Sequence, residues 1–384
     1  LDIGISRPAR DDRIDFWRGL CIVGMVAWHL LTDPSYPRWF SFGIIQGFNF
    51  VAEGFVLLAG AAVGLHLARS PQQRTRPSRY LARAARLLAV HYILAAVLLF
   101  VFAAPNGCGP AAGADWLNRI GAILTLQYQP YLGDILSLFV FLLAAAPALL
   151  ILQRAVGKGG LLALSLSVYL ASNLLPAMLP KSLWATIELN HYGAFDFNSW
   201  QFVFVGGLLL GQSHQELLAR AKQANRAWLV VATAAFLVAC AYRFPVEKLD
   251  SRAVEWPAFL GFGRHPLAPP RAIYIGLQML LVALITVRFW ERLAGRWWVR
   301  TVVVFGRNSL AVFAWSVALD YLFKTILHRC RPGFPANLAI VVLDLAMLYL
   351  VARYWHWPAG GTTEDHAGQS GSNSPDSVQV SHQA

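Results

Sequence analysis

The chain consists largely of apolar runs of membrane-crossing length, broken by short clusters of Arg, Lys, Gly and Pro. A hydrocarbon core about 30 Å thick is crossed by a helix of about 20 residues. Lipid offers backbone N–H and C=O groups no partners, so only helices and closed barrels can span it. The runs here are continuous rather than alternating, which selects helices. Charged residues make up 14% of the 384, against about 25% in a soluble domain. Too few are present to cover a water-facing surface, and the fold class expected is all-α: a polytopic helical membrane protein of about ten transmembrane helices. The net charge of +12 falls in clusters between the runs. That distribution sets topology and does not line a groove, so no nucleic-acid partner is expected.

Ten spans are predicted, at 19–31, 44–67, 87–103, 135–152, 161–178, 202–210, 228–241, 273–287, 302–322 and 338–351. The sixth is short and carries Gly206, Gly207 and Gly211, so it either starts earlier, near Phe197, or packs tightly. The piece at 120–126 is too short to cross and reads as re-entrant or interfacial. A flexible N-terminus (1–12), a transmembrane domain (13–357) and a disordered tail rich in Gly, Ser, Thr, Asp and Gln (358–384) complete the division. Ten crossings put both termini on one side. The basic excess lies there, so both termini are expected in the cytoplasm and the protein in the cell's inner membrane.

Cys21 and Cys240 lie inside apolar runs as small hydrophobes. Cys108 and Cys330 fall in loops on the same side, where a disulfide is one option. The four cysteines lack metal-ligand spacing, and no metal is expected. Trp39, Trp184, Trp200, Trp228, Trp290, Trp297 and Trp298 lie near span ends, as an interfacial belt requires. Trp116, His191, Tyr192, Asp196 and Trp256 read either as part of that belt or as a sugar-stacking surface.

Ionisable groups inside spans cost about 2.5–3.5 kcal/mol each on insertion scales, which singles out His29 and Glu53. His29 lies eleven residues beyond Arg18, about 16 Å along the helix. Glu53 lies at a similar depth on the returning helix. The pair reads as a general base with its orienting carboxylate, as a structural hydrogen bond between helices, or as Glu53 meeting an arginine instead. Arg79, Arg83 and Arg86 lead into the third span as a fork suited to phosphate or as ordinary positive-inside charge. His91 is a weaker candidate ligand or relay. Asp134 opens the fourth span as a helix cap or as an outer-side carboxylate. Asp320 and Asp344 are further intramembrane acids. Arg307, Asn308 and Ser309 are placed to line a cytoplasmic cavity.

RIDFWRGL followed by a histidine late in the first span, then FNFVAEGFVLLAGAAVGL, resembles the OpgC family. YLARAARLLAVHY, LTLQYQPYLGDILSLFVFLL, FNSWQFVFVGGLLLG and GRNSLAVFAWSVAL agree in order. OpgC proteins are membrane proteins implicated in succinylating osmoregulated periplasmic glucans, and they are related to the acyltransferase-3 group. The resemblance implies an O-acyltransferase that moves an acyl group, succinyl at best guess, from cytoplasmic acyl-CoA to a hydroxyl of an extracytoplasmic glycan. It implies catalytic roles for His29, Glu53 and Asp134, and acyl-CoA binding by Arg83 and Arg86, to which Arg79 is added by its place in the same fork. The sequence departs from the pattern at Trp28, where an Asp is expected before the histidine, and at 49–53, which read NFVAE. The alternative is a proton-coupled transporter of a saccharide, lipid-linked sugar or organic anion. The lack of an evident internal repeat counts against it.

Overall fold

The computed structural model describes residues 11–31, 50–69, 77–101, 116–127, 129, 132–178, 195–250, 260–330 and 333–354. Cys108, the 32–49 turn, His191, Tyr192, Trp256 and the tail lie outside them. Twelve α-helices and no strand are present among the described residues. They are α1 (Asp12–Leu31), α2 (Val51–Arg69), α3 (Pro77–Ala96), α4 (Trp116–Leu124), α5 (Asp134–Leu174) and α6 (Phe197–Gln212). α7 (His214–Gln223), α8 (Arg226–Asp250), α9 (Pro269–Leu293), α10 (Trp297–Arg307), α11 (Ser309–Cys330) and α12 (Phe334–Tyr354) follow.

Eight helices among the described residues are long and apolar enough to cross a membrane. One of them, the 41-residue α5, is broken at Gly157, whose φ of 75° is open to glycine without strain. Its two arms therefore have room for two crossings. α6 has 16 residues and lies inside the bundle. Counted this way, ten passages remain, but with two changes to their bounds. Residues 153–160 continue the helix to Gly157 and do not form a separate loop. The ninth span begins at Ser309, because the chain turns at Asn308 and α10 is a helix of its own.

The bundle is a membrane solution to packing. Lipid tails are as apolar as Leu, so helices gain by close approach and not by leaving water. α2 and α6 run parallel through paired glycines. A Cβ on Gly60 would strike the carbonyl of Phe204, and one on Gly64 that of Leu208. Gly207 meets Leu57 and Gly211 meets Ala61 in the same way. The tight packing expected of the sixth span and its early start at Phe197 both hold. The same side of α6 carries Trp200, Phe204 and Leu208, at four-residue spacing and wholly buried. α10 lies antiparallel on the first half of α1, where Gly19 backs onto Val302 and Gly306 onto Asp15.

One end of the bundle, called the near end below, holds the start of α1 and the arginines of α3. There Arg307 pairs with Asp12 at 2.7 Å, and Asn308 donates to the Ala352 carbonyl at 2.6 Å. Arg307 and Asn308 therefore tie helices together at this end. Asp11 accepts from Arg13 Nε at 2.8 Å and from His214 Nε2 at 3.0 Å. Burial acts to raise the Asp11 carboxyl, but these bonds outweigh it and hold the group well below the usual carboxylate range.

Trp116, Trp228, Trp297 and Trp298 are exposed, as a belt requires, whereas Trp200 is fully buried and belongs to the core. α4 lays Ala122 and Ile123 against Ala95 and Leu99 of the α3 end and turns Trp116, Leu117 and Leu124 outward. That is the character of an interfacial helix. Among the described residues Cys21, Cys240 and Cys330 form no disulfide with one another, and the Cys108 end of the suggested pair lies outside them.

Candidate active site at the far end of the bundle

Six segments bring their polar residues to the opposite, far end. The last turn of α1 supplies His29 and the first turn of α2 supplies Glu53. Asp134 opens α5, Arg271 lies in the first turn of α9, and Asp320 comes from the middle of α11. Arg264 comes from the short stretch 260–268, which is pinned from several sides. Trp200 Nε1 donates to the Arg264 carbonyl at 2.9 Å. Leu267 N donates to Ser199 Oγ at 2.9 Å, and its carbonyl accepts from Asn173 Nδ2 at 3.2 Å. Ser199 is held in turn by Asp196, which caps α6 by accepting from Ser199 N at 2.7 Å and is fully buried. Asp196 is thus a structural cap and not part of a sugar-stacking surface.

His29 and Glu53 do not orient one another. His29 Nδ1 lies 2.6 Å from Asp320 Oδ2, with side-chain exposures of 10% and 0%. Glu53 Oε1 instead accepts from Arg271 Nε at 2.7 Å, and both groups are buried. The correction has a plain physical cause. Buried charges need opposite partners, and the permanently charged arginine with its fork of donors satisfies Glu53 better than an imidazole does. The third option read from the sequence, Glu53 meeting an arginine, is the one realised. The catalytic reading of His29 keeps its logic with a different carboxylate. An aspartate on Nδ1 fixes the ring and its tautomer and leaves Nε2 as the base.

Asp344 on α12 lies near enough to Asp320 for the two charges to act on one another. Both are fully buried. Lys324, one turn beyond Asp320, is near enough for its charge to act on both His29 and Asp320. Asp134 bonds its own helix start through Ile135 N at 3.1 Å. Its charge also acts on His29 and on Arg264. His91 is fully buried.

Arg264, Arg271 and Arg243 are the residues that sequence reasoning passed over. Arg243 Nη1 donates to Tyr274 Oη at 3.0 Å and stacks on that ring. The Arg264 guanidinium stacks on Trp28, 4.8 Å from the ring centroid. Burial, followed by the charge of Arg271, brings Arg264 down to about 10, with Glu53 and Asp134 pulling the other way. It remains a cation at neutral pH. Three arginines on the side that the charge bias leaves poor in cations were the available signal.

Arg79, Arg83 and Arg86 lie at the near end, in the first half of α3, and all are exposed. Arg79 Nη1 is 2.7 Å from His66 Nε2. The structure brings these three together on one helix and separates them from His29, which stands in the last turn of α1.

An all-helical, multi-pass membrane protein with a buried histidine–aspartate pair at one end and an arginine row at the other is the class that fold and site define. The profile of the OpgC protein family matches residues 10–359, nearly the whole chain, and the chain belongs to that family. Membership implies a transferase with a glucan succinyltransferase-like role. No curated protein matches the chain.

Proposed function

We propose that the protein is an O-acyltransferase of the inner membrane that takes an acyl group, with succinyl the candidate, from cytoplasmic acyl-CoA to a hydroxyl of an extracytoplasmic glycan. The observation that carries this reading is the His29–Asp320 contact of 2.6 Å. A buried carboxylate behind an imidazole is the arrangement that activates a hydroxyl, and a scaffold protein has no use for its cost. In this reading the far end faces out and the near end faces the cytoplasm, as the basic excess requires. Arg83 and Arg86, with Arg79 beside them, hold the CoA phosphates. His29 Nε2 takes the proton of the acceptor hydroxyl as its oxygen attacks the thioester carbonyl, and the thiolate leaves toward the near end. Asp320 steadies the imidazolium, and Asp134 adds negative charge beside it. Glu53 acts on this machinery through Arg271 and is a positioning residue.

Sided proteoliposomes test the reading. Labelled acyl-CoA is supplied at the near face and a glucan at the far face, and ester is measured. Ester formation that requires this sidedness, with a raised KM for acyl-CoA in Arg83→Ala/Arg86→Ala, is expected. Proton-driven uptake of sugar or acid without ester would replace the reading by a transporter.

A further inference from the structure

We infer that Arg264, backed by Arg271, forms a carboxylate-binding site beside His29, and that this site selects substrates bearing a free carboxylate. The inference rests on the acyl-transfer reading for its place in a reaction, but not for the binding itself. It begins at Trp28. Where the family resemblance expects an aspartate, the ring carries the Arg264 guanidinium face-on at 4.8 Å. An aspartate there would neutralise Arg264. An indole holds the cation by its face and leaves the in-plane N–H donors open. The Arg264 side chain makes no hydrogen bond or ion pair with the described residues. Its neighbour Arg271 is 6% exposed, and its Nη2 is buried without a partner. Glu53 engages Arg271 through Nε alone. Arg264 thus presents open donors with the charge of Arg271 acting on it, and a planar, two-oxygen anion is the chemistry that fits a guanidinium fork.

Geometry ties the site to the reaction. Trp28 is the neighbour of His29, and their ring centroids are 5.6 Å apart. Arg264 and the imidazole therefore lie no further apart than those two ring contacts laid end to end. A four-carbon dicarboxyl chain, with three carbon–carbon bonds of about 1.5 Å and a hydrogen bond of about 3 Å at each end, covers that distance. The carboxylate has two sources: the far end of the acyl group being transferred, or an acidic group on the sugar acceptor. The recognition chemistry is shared.

The test uses the purified full chain in nanodiscs and ligand-observed NMR with matched probes. Monomethyl succinate is compared with dimethyl succinate, and methyl glucuronoside with methyl glucoside. Wild type is expected to bind one anionic probe at least about tenfold more tightly than its neutral partner, and Arg264→Gln to lose that preference while melting like wild type. The succinate pair showing the preference makes the acyl group the source; the glucuronoside pair makes it the acceptor. Arg264→Lys keeps the charge but not the fork and is expected to fall between, which serves if Arg264→Gln is unstable. Equal binding of anionic and neutral probes, or a preference that survives in a well-folded Arg264→Gln, overturns the inference. Ester formation without any preference for a dicarboxyl donor or acidic acceptor would leave the transfer reading standing and this site refuted. Anion preference without ester would do the reverse.

Discussion

Replacing Asp320 by Asn tests the new partner of His29 most sharply, because the two side chains have nearly the same shape. The carboxylate is fully buried and 2.6 Å from Nδ1. When His29 accepts a proton, the charge that forms on the ring interacts with a carboxylate centred about 4 Å away, worth about 4 kcal/mol at an effective dielectric near 20. Asn removes that interaction. Its amide also donates where the carboxylate accepted, which drives the ring proton to Nε2 and occupies the nitrogen meant to act as base. A loss of about 4 kcal/mol in the barrier is about a thousandfold in rate. The assay is labelled-acyl transfer in nanodiscs, with thermal melting alongside to show that Asp320→Asn is folded. A folded variant within a few-fold of wild-type rate would refute the reasoning, because the imidazole would then need no negative partner.

Other outcomes follow from the same structure. Gly60→Ala places a methyl against the Phe204 carbonyl and should cost at least about 2 kcal/mol in detergent melting. Gly206→Ala, with only Leu57 at 4.0 Å, should stay within about 0.5 kcal/mol. Glu53→Gln leaves the buried Arg271 cation without its counter-charge and should destabilise by about 3–5 kcal/mol, largely recovered in Glu53→Leu/Arg271→Met. Asp11 has a folded pKa below its unfolded value. Its contribution is therefore complete above about pH 4 and is lost as pH falls through the folded value. The melting gap between wild type and Asp11→Asn should shrink on going from pH 6 to pH 3.

Span number and order were legible because each crossing imposes length and apolarity. Span bounds were less so. The polar Arg307, Asn308 and Ser309 interrupt the apolar run within 302–322 and mark the break, but nothing in that pattern shows that Gly19 and Gly306 let α10 lie against α1. At the site, His29, Glu53, Asp134, Asp320 and Asp344 all stood out as costly groups in lipid. Their pairing did not, because partners such as His29 and Asp320, 291 positions apart, are joined by helix packing and not by spacing. Arg264 was hidden in a polar loop, where an arginine costs nothing until Trp200, Ser199 and Asn173 pin that loop over Trp28.

Ester formation from labelled acyl-CoA and glucan, measured side by side for wild type and His29→Ala, addresses the central claim most directly. Wild type is expected to form ester, and His29→Ala, folded by melting, to fall to background. Equal labelling by the two proteins would contradict the account.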